Sequence, residues 1–215
     1  MTKAIENSIY TKPITNLNYI YPEGEFLYYI IQGSLIETAT TYFTIPYNQE
    51  PNYLLISMAF IPMSFVFEIV FDFFFYWIHR FFHTSYISSH KKHHEHIHLK
   101  PVLTFYQDSF DQIFSVSLPF LLTEHLIQTV YPLSSFEIAL LVNYKIFIEI
   151  SGHSGRNLEP SSCFPQCIWL VKFLNIELYS EEHVLHHTKF QYNFSKRFTL
   201  WDKLFGTYLP RISEN

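Results

Sequence analysis

The chain has 215 residues, of which 20% are aromatic and only 15% are charged, against about 25% charged in ordinary soluble domains. A length of 215 residues suffices for one domain. The deficit of charge predicts that this domain resides in a membrane. The formal net charge of -5 and the lack of a basic stripe argue against nucleic-acid binding.

Four apolar segments follow a polar N-terminal arm. The arm covers residues 1–25, and residues 26–215 form one domain. Its predicted transmembrane segments are residues 26–45, 53–78, 110–130 and 134–150, which suit a bilayer in length. The first segment carries Gln32 and Glu37, so an interfacial or buried helix is its alternative reading.

The second segment is the strongest apolar run, and Pro62 is expected to kink it. It contains Glu68 and Asp72, which share one helical face and are costly inside a bilayer. Asp72 lies two helical turns before His79, so we expect its carboxylate to orient a metal-bound imidazole. The alternative is that both acids lie near the cytosolic interface, and for Glu68 the choice stays open.

Basic residues indicate the orientation of these segments. The turns at residues 46–52 and 130–133 contain no Lys or Arg, and Lys145 lies within the fourth segment. The remaining basic residues fall on the opposite side, which predicts four crossings with both termini in the cytosol. The residues that follow the second and fourth segments, 79–108 and 151–215, then form a cytosolic, histidine-rich cap.

Eight of the twelve histidines fall into three short boxes in that cap. On a helix, His79 and His83 share one face, because residues four apart are neighbours. The other two boxes are HKKHH and HVLHH, and the eight histidines are His79, His83, His90, His93, His94, His183, His186 and His187. Imidazole binds several transition metals, and eight ligands exceed the four of one zinc ion, so two metal ions are expected.

Two metal chemistries fit such boxes. Many neutral histidines in a membrane favour iron that activates dioxygen, because zinc has no redox chemistry. However, His94-Glu95-His96-Ile97-His98 satisfies H-E-x-x-H, so a zinc-dependent membrane hydrolase or protease is a rival. That rival leaves the other boxes unused.

The boxes and the C-terminal stretch EEHVLHHTKFQYNFSKRFTLWDKLFGT resemble the fatty acid hydroxylase superfamily, especially its sterol desaturase and sterol hydroxylase branch. The resemblance runs from about Phe60 to Leu209. It implies an all-α integral membrane bundle, located in the endoplasmic reticulum of eukaryotes. It also implies two non-haem iron ions, dioxygen as co-substrate, and electrons from a separate cytochrome b5 or reductase.

For this chain the resemblance implies hydroxylation or desaturation of a lipid, with a sterol expected first and a fatty acyl chain or ceramide second. It makes the eight box histidines metal ligands and adds His153 from SGHSGRN. Asn157 either holds a metal-bound water or caps a turn. One departure is that only six residues separate His83 from His90, fewer than the family commonly has. Either the connecting turn is tighter here, or the geometry of the first two boxes is altered. The second possibility supports a third hypothesis beside the oxygenase and the zinc hydrolase, namely an inactive scaffold protein.

Overall fold

The computed structural model describes residues 23–44, 50–85, 88–95, 100–155 and 168–211. All regular elements in these ranges are helical, which confirms the all-α prediction. Residues 1–22 of the predicted arm, together with His96, His98 and Asn157, lie outside the described residues, whereas residues 23–25 form the start of the first helix.

Seven α-helices appear in the described ranges, with short 3₁₀ turns at Ser88–Lys91 and Pro101–Phe105. The third helix is interrupted by a π-helical stretch, Gln112–Ser117, between Ser109–Asp111 and Leu118–Gln128. The helices are α1 (Glu23–Thr44), α2 (Tyr53–Thr84), α3 (Ser109–Asp111 through Leu118–Gln128), α4 (Ser135–Gly152), α5 (Ile168–Phe173), α6 (Ser180–Thr188) and α7 (Leu200–Leu204).

Helix α2 organises the molecule and extends beyond the predicted end of its apolar segment at residue 78. The Asn52 side chain caps its start by accepting a hydrogen bond from the Leu55 backbone N–H. Since no glycine or proline follows Pro62 within the helix, it continues to Thr84. The first histidine box therefore belongs to α2 itself, and the cap begins as a continuation of this helix.

Of the described helices, α2 is the one that is both long enough and apolar enough to cross a membrane by length and composition. The other three predicted segments are helices whose ends lie within about three residues of the predicted limits. Large apolar side chains are exposed on several of these helices, including Leu35, Phe43, Leu54, Met58 and Leu126.

The main apolar core lies between α2, α3 and α4. The buried members of this cluster are Phe67, Phe71, Phe75, Phe120, Ile127, Leu133, Ile138 and Leu141. The aromatic run of α2 is thus divided, since Phe71 and Phe75 enter the core while Trp77 and Phe81 are exposed. This core fixes the end of α2 that carries the first histidines.

Buried ion pairs explain the charges inside the apolar segments. Lys145 of α4 contacts both carboxylate oxygens of Glu37 at 2.7 Å, which ties α4 to α1. The Arg197 Nε lies 2.5 Å from a carboxylate oxygen of Glu68, and its guanidinium reaches Glu149 at 3.6 Å. Glu68 is therefore a buried partner of the C-terminal segment. Removing one member of such a pair costs about 3–5 kcal/mol.

Candidate metal centre

Five histidines converge on one point between α2, the first 3₁₀ turn and α6. The group consists of His79, His83, His90, His94 and His186, and their potential ligand atoms all lie within 4.8 Å of one another. We call it the five-histidine group. The Nε2 atom of His79 lies 3.0 Å from that of His90 and 3.1 Å from that of His186.

Hydrogen bonds at the far side of three rings fix which nitrogen faces this point. The Nδ1 of His79 donates to the carbonyl oxygen of Phe194 at 2.7 Å, and the Nδ1 of His186 donates to that of Tyr192 at 2.7 Å. The Nδ1 of His90 lies 2.8 Å from a carboxylate oxygen of Asp111. Because a carbonyl or carboxylate oxygen only accepts, these three Nδ1 atoms carry the proton.

In a neutral imidazole, protonation of Nδ1 leaves a lone pair on Nε2. Lone pairs therefore face each other across 3.0 Å between His79 and His90, and across 3.1 Å between His79 and His186. No hydrogen bond satisfies such a pair, whereas a cation between the nitrogens satisfies all of them. The five-histidine group thus fits a metal ion.

The ring positions define the shape of this group. The His83 ring centroid lies 4.7–4.8 Å from each of the other four. Those four form a closed square through His79, His90, His94 and His186 with sides of 4.5–4.8 Å, and His79 and His94 face each other across it at 6.3 Å. His83 is therefore the apex of a square pyramid. The direction opposite His83 carries no histidine of this group.

The nitrogen spacing also limits the coordination geometry. With metal–nitrogen bonds of about 2.1 Å, neighbouring ligands lie about 3.0 Å apart around an octahedral ion and about 3.4 Å apart around a tetrahedral one. The observed Nε2 separations are 3.0–3.1 Å. Five nitrogens at these separations would suit an ion with more ligands than the four of a structural zinc site.

Four further histidines form a second group beside the first. This four-histidine group consists of His93, His153, His183 and His187. The Nδ1 of His153 donates to the carbonyl oxygen of Glu149, and its Nε2 lies 3.2 Å from the Nε2 of His183. The rings of His94 and His187 connect the two groups at 4.5 Å.

His187 provides the strongest sign that the second group also fits a metal. Its side chain is fully buried, and neither ring nitrogen has a hydrogen-bond partner in the described part of the chain. An unpartnered buried polar group of this kind costs about 1–3 kcal/mol, and a bound cation removes that cost. The residues of the four-histidine group therefore also fit a metal ion.

Burial keeps six of these imidazoles neutral. Loss of solvent lowers the pKa of His186 to about 3 and that of His153 to about 4. Burial, reinforced by repulsion between neighbouring rings, lowers the pKa of His187 well below the usual value. The same holds for His93, His94 and His183. Neutral rings are the form that binds metal.

Asp111, and not Asp72 as predicted, is the carboxylate that contacts a histidine of the five-histidine group. The Asp72 carboxylate accepts hydrogen bonds from the backbone N–H groups of residues 196–198 at 2.7–3.1 Å, so it holds the loop that follows Phe194. The carboxylate that contacts a histidine is Asp111, which is fully buried where the π-helical stretch begins. Sequence reasoning missed it, although an acidic residue at the start of an apolar segment was a usable signal.

The remaining predictions have different outcomes. The Nε2 atoms of His83 and His90 lie 3.1 Å apart, so the short spacing does not separate the first two boxes.

Asn157 lies outside the described residues, and its role stays a prediction. Glu95, the acid of the H-E-x-x-H pattern, is exposed and contacts Lys92 and Tyr106, which does not favour the zinc hydrolase.

Comparison with known proteins gives consistent matches. The family model described as fatty acid hydroxylase matches residues 64–207. The fatty acid hydroxylase vlmA of Lecanicillium sp is 30% identical over 70% of this chain and 42% of its own length. Human lathosterol oxidase is 32% identical over 64% of this chain and 42% of its own.

The Delta(7)-sterol 5(6)-desaturase erg3A of Aspergillus fumigatus is 29% identical over 64% of this chain and 34% of its own length. The chain thus spans less than half the length of each of these relatives. No solved structure matches the chain.

Proposed function

Because the chain belongs to the fatty acid hydroxylase family, we propose that it is an integral membrane oxidoreductase that uses dioxygen and electrons to hydroxylate or desaturate a lipid. The observation that carries this proposal is the convergence of nine histidines into two adjacent groups with facing lone pairs. We further propose that each group holds one iron ion and that all nine histidines are ligands.

The geometry favours iron over zinc as the working metal. The five facing nitrogens exceed the four ligands of a structural zinc site, and iron held by them would supply the redox chemistry that activates dioxygen and breaks an unactivated C–H bond. Two adjacent groups suit a reaction in which dioxygen accepts several electrons. A zinc hydrolase would instead need one open tetrahedral site with a general base.

The protein side chains orient the nitrogens and exclude water. Asp111 and the carbonyl oxygens of Phe194, Tyr192 and Glu149 hold the Nδ1 protons, so the Nε2 lone pairs stay directed inward. Phe75 lies 4.9 Å from the His79 ring and belongs to the apolar core. Such dry walls limit side reactions of a strong oxidant.

The overall reaction balances with an outside reductant. Hydroxylation converts one C–H bond and one dioxygen, with two electrons and two protons, to one alcohol and one water. Desaturation uses the same electrons and protons, removes two hydrogens from neighbouring carbons and yields two waters. A separate electron donor, such as cytochrome b5 or a reductase, is therefore part of the proposal.

A sterol is the preferred substrate class. The matched relatives include proteins named as a lathosterol oxidase and a sterol desaturase, which supports this choice. The relative named as a fatty acid hydroxylase supports a fatty acyl chain or ceramide as the second candidate. Both candidates are apolar lipids that a membrane delivers to the centre.

We also propose the membrane arrangement predicted from charge. Helices α1 to α4 cross the bilayer, with both termini and the histidine groups on the cytosolic side of the endoplasmic reticulum. The apolar exposed faces of α1, α2 and α3 and the hydropathy of α2 support this arrangement. Buried pairing of Glu37 with Lys145 makes charges in α1 and α4 compatible with it.

The test is metal content and lipid oxidation of the full chain in nanodiscs. After anaerobic loading with ferrous iron, we expect about two irons per chain. We also expect single-turnover oxidation of added sterol when the protein is reduced anaerobically with stoichiometric dithionite and dioxygen is then admitted. His187→Ala, in the four-histidine group, should lose about one iron per chain and the activity. His125→Ala is the matched control, because His125 is exposed and belongs to neither group.

Two results would contradict the proposal. If folded wild-type protein takes up no iron, the oxygenase hypothesis is wrong and the inactive scaffold is favoured. Equal iron content in His187→Ala and His125→Ala would show that the metal binds elsewhere. If oxidation occurs with fatty acyl lipids and not with sterols, the second substrate class replaces the first.

A further inference from the structure

A cleft on the cap opens directly onto the five-histidine group. Its volume is about 650 Å³, and its lining includes Arg80, His83, Lys189, Phe190 and Phe194. Of the nine histidines in the two groups, His83 lines this cleft. The cleft therefore reaches the five-histidine group at the His83 ring.

The cleft is positively charged, although the whole chain carries a formal charge of -5. Arg80 and Lys189 lie in its lining, which contains no Asp or Glu among the described residues. Arg80 is held in place because it donates to the Tyr76 hydroxyl at 2.8 Å and lies over the Trp77 ring. Neither cation has a carboxylate partner among the described ion pairs, so both are available to an acidic partner.

Aromatic rings connect the wall of the cleft to the metal centre. Phe190 stacks on His83 at 6.3 Å and contacts the His94 ring at 5.2 Å. Phe194 lies 5.4 Å from the His83 ring. A redox partner seated in the cleft would therefore lie against side chains in direct contact with two histidines of the centre.

The shape of the five-histidine group decides against the lipid substrate as occupant. The cleft opens onto His83, and the other four rings of the group lie 4.7–4.8 Å from the His83 ring. The His83 ring would therefore stand between a C–H bond in the cleft and an ion held by the group. Electrons, unlike a substrate carbon, can pass through a ligand ring.

We propose that this cleft is the docking site of an acidic electron-carrier protein, with Arg80 and Lys189 as its charge contacts and His83 as the point of electron entry. The inference rests on the proposed function, because that reaction draws two electrons from an outside donor. Complementary charge of this kind mainly speeds the encounter of the two proteins and is weakened by salt.

The test measures electron transfer from reduced cytochrome b5 to the iron-loaded full chain in nanodiscs by stopped flow. Lys189→Glu should slow the second-order reaction at least about tenfold at low salt, and the difference should shrink at high salt. Arg80→Gln should act in the same direction, and Arg80→Lys should restore most of the rate. Lys172→Glu, at an exposed position on α5, is the matched control.

A second arm replaces the protein donor by stoichiometric dithionite, which reduces the protein anaerobically before dioxygen is admitted. Lys189→Glu should keep wild-type iron content and wild-type lipid oxidation in this arm. A raised KM for lipid with dithionite would overturn the docking site and assign the cleft to a lipid head group. An unchanged rate with cytochrome b5 in Lys189→Glu and Arg80→Gln would also overturn it.

The two arms separate this inference from the proposed function. If wild-type protein oxidises no lipid with dithionite, the proposed function fails and the docking site fails with it. If dithionite supports oxidation and the cleft variants accept electrons normally from cytochrome b5, only the docking site fails. Should Arg80→Gln fold poorly, the exposed Lys189→Glu decides the result alone.

Discussion

The two histidine groups differ in how firmly the protein holds them. In the five-histidine group, the Nδ1 atoms of three rings are held by partners more than five residues away in the chain: Asp111, Phe194 and Tyr192. In the four-histidine group, His153 is held by its own helix. In the described ranges this group has three unpartnered buried nitrogens, one on His93 and two on His187, against the Nδ1 of His94 in the five-histidine group.

On the proposed function, we expect from this difference that the first group is ordered before its metal binds and that the second becomes ordered with its metal. A preorganised group needs less ordering when the ion binds, so it loads at lower metal concentration. The second group retains unpartnered buried nitrogens without the ion, which is unfavourable. We therefore expect the two sites to load in sequence, with the five-histidine group first.

The adjacent residues His186 and His187 test this comparison with the largest expected effect. His187→Ala leaves three donors in a weakly held group, so we expect iron to fall from about two to about one per chain. His186→Ala leaves four donors in the held group and should retain more iron. Both should lose at least about 100-fold in activity, since even outer-sphere partners are worth about 10–100-fold.

Iron content by mass spectrometry and dioxygen uptake check both variants. The comparison is wrong if His186→Ala loses both irons while His187→Ala keeps them. The His125→Ala protein again sets the baseline for a histidine outside both groups.

Asp111 offers a smaller change to the held group alone. Asp111→Ala removes the acceptor for the His90 Nδ1 proton, so we expect about 10–100-fold weaker metal binding at the five-histidine group. Asp111→Asn keeps an oxygen that accepts this hydrogen bond and should lose less. Titration with cobalt(II) under competition from a chelator measures both affinities.

Ser115→Ala serves as the control for local packing, because the Ser115 hydroxyl donates to the same Asp111 oxygen at 2.5 Å. If Asp111→Ala and Ser115→Ala weaken metal binding equally, Asp111 contributes packing and not orientation of His90.

Acid should destabilise the metal-free protein, with the smallest effect of the three. The folded pKa values of His186 and His153 are about 3 and about 4, below the unfolded value of about 6.5. Only the unfolded chain then takes up these protons as pH falls. The stabilisation that these two histidines contribute is fully present above about pH 6.5. Below that pH, the free energy of unfolding decreases by up to about 1.4 kcal/mol per pH unit for each histidine.

Thermal unfolding of chelator-treated protein in detergent between pH 7 and pH 4.5 measures this slope. Metal-loaded protein should show a shallower slope near neutral pH, because the bound ions oppose protonation. Equal slopes with and without metal would mean that the buried histidines do not bind the ions.

The sequence determined which residues meet at the centre. All nine histidines predicted as ligands lie in the two groups, because helical spacing of three and four fixes neighbours locally, as with His79 and His83 on α2. The four apolar segments were also predicted within a few residues, since long apolar runs admit little besides a helix. The resemblance to the family supplied His153.

Only the tertiary structure decided how the nine histidines divide and what supports them. The neighbours His93 and His94 belong to different groups, as do His186 and His187, which spacing alone does not specify. The carboxylate beside His90 comes from Asp111 on another helix, while Asp72, in register with His79, holds a backbone loop instead. Spacing along one helix determines which side chains share a face, but the partners across that face depend on how the helices pack.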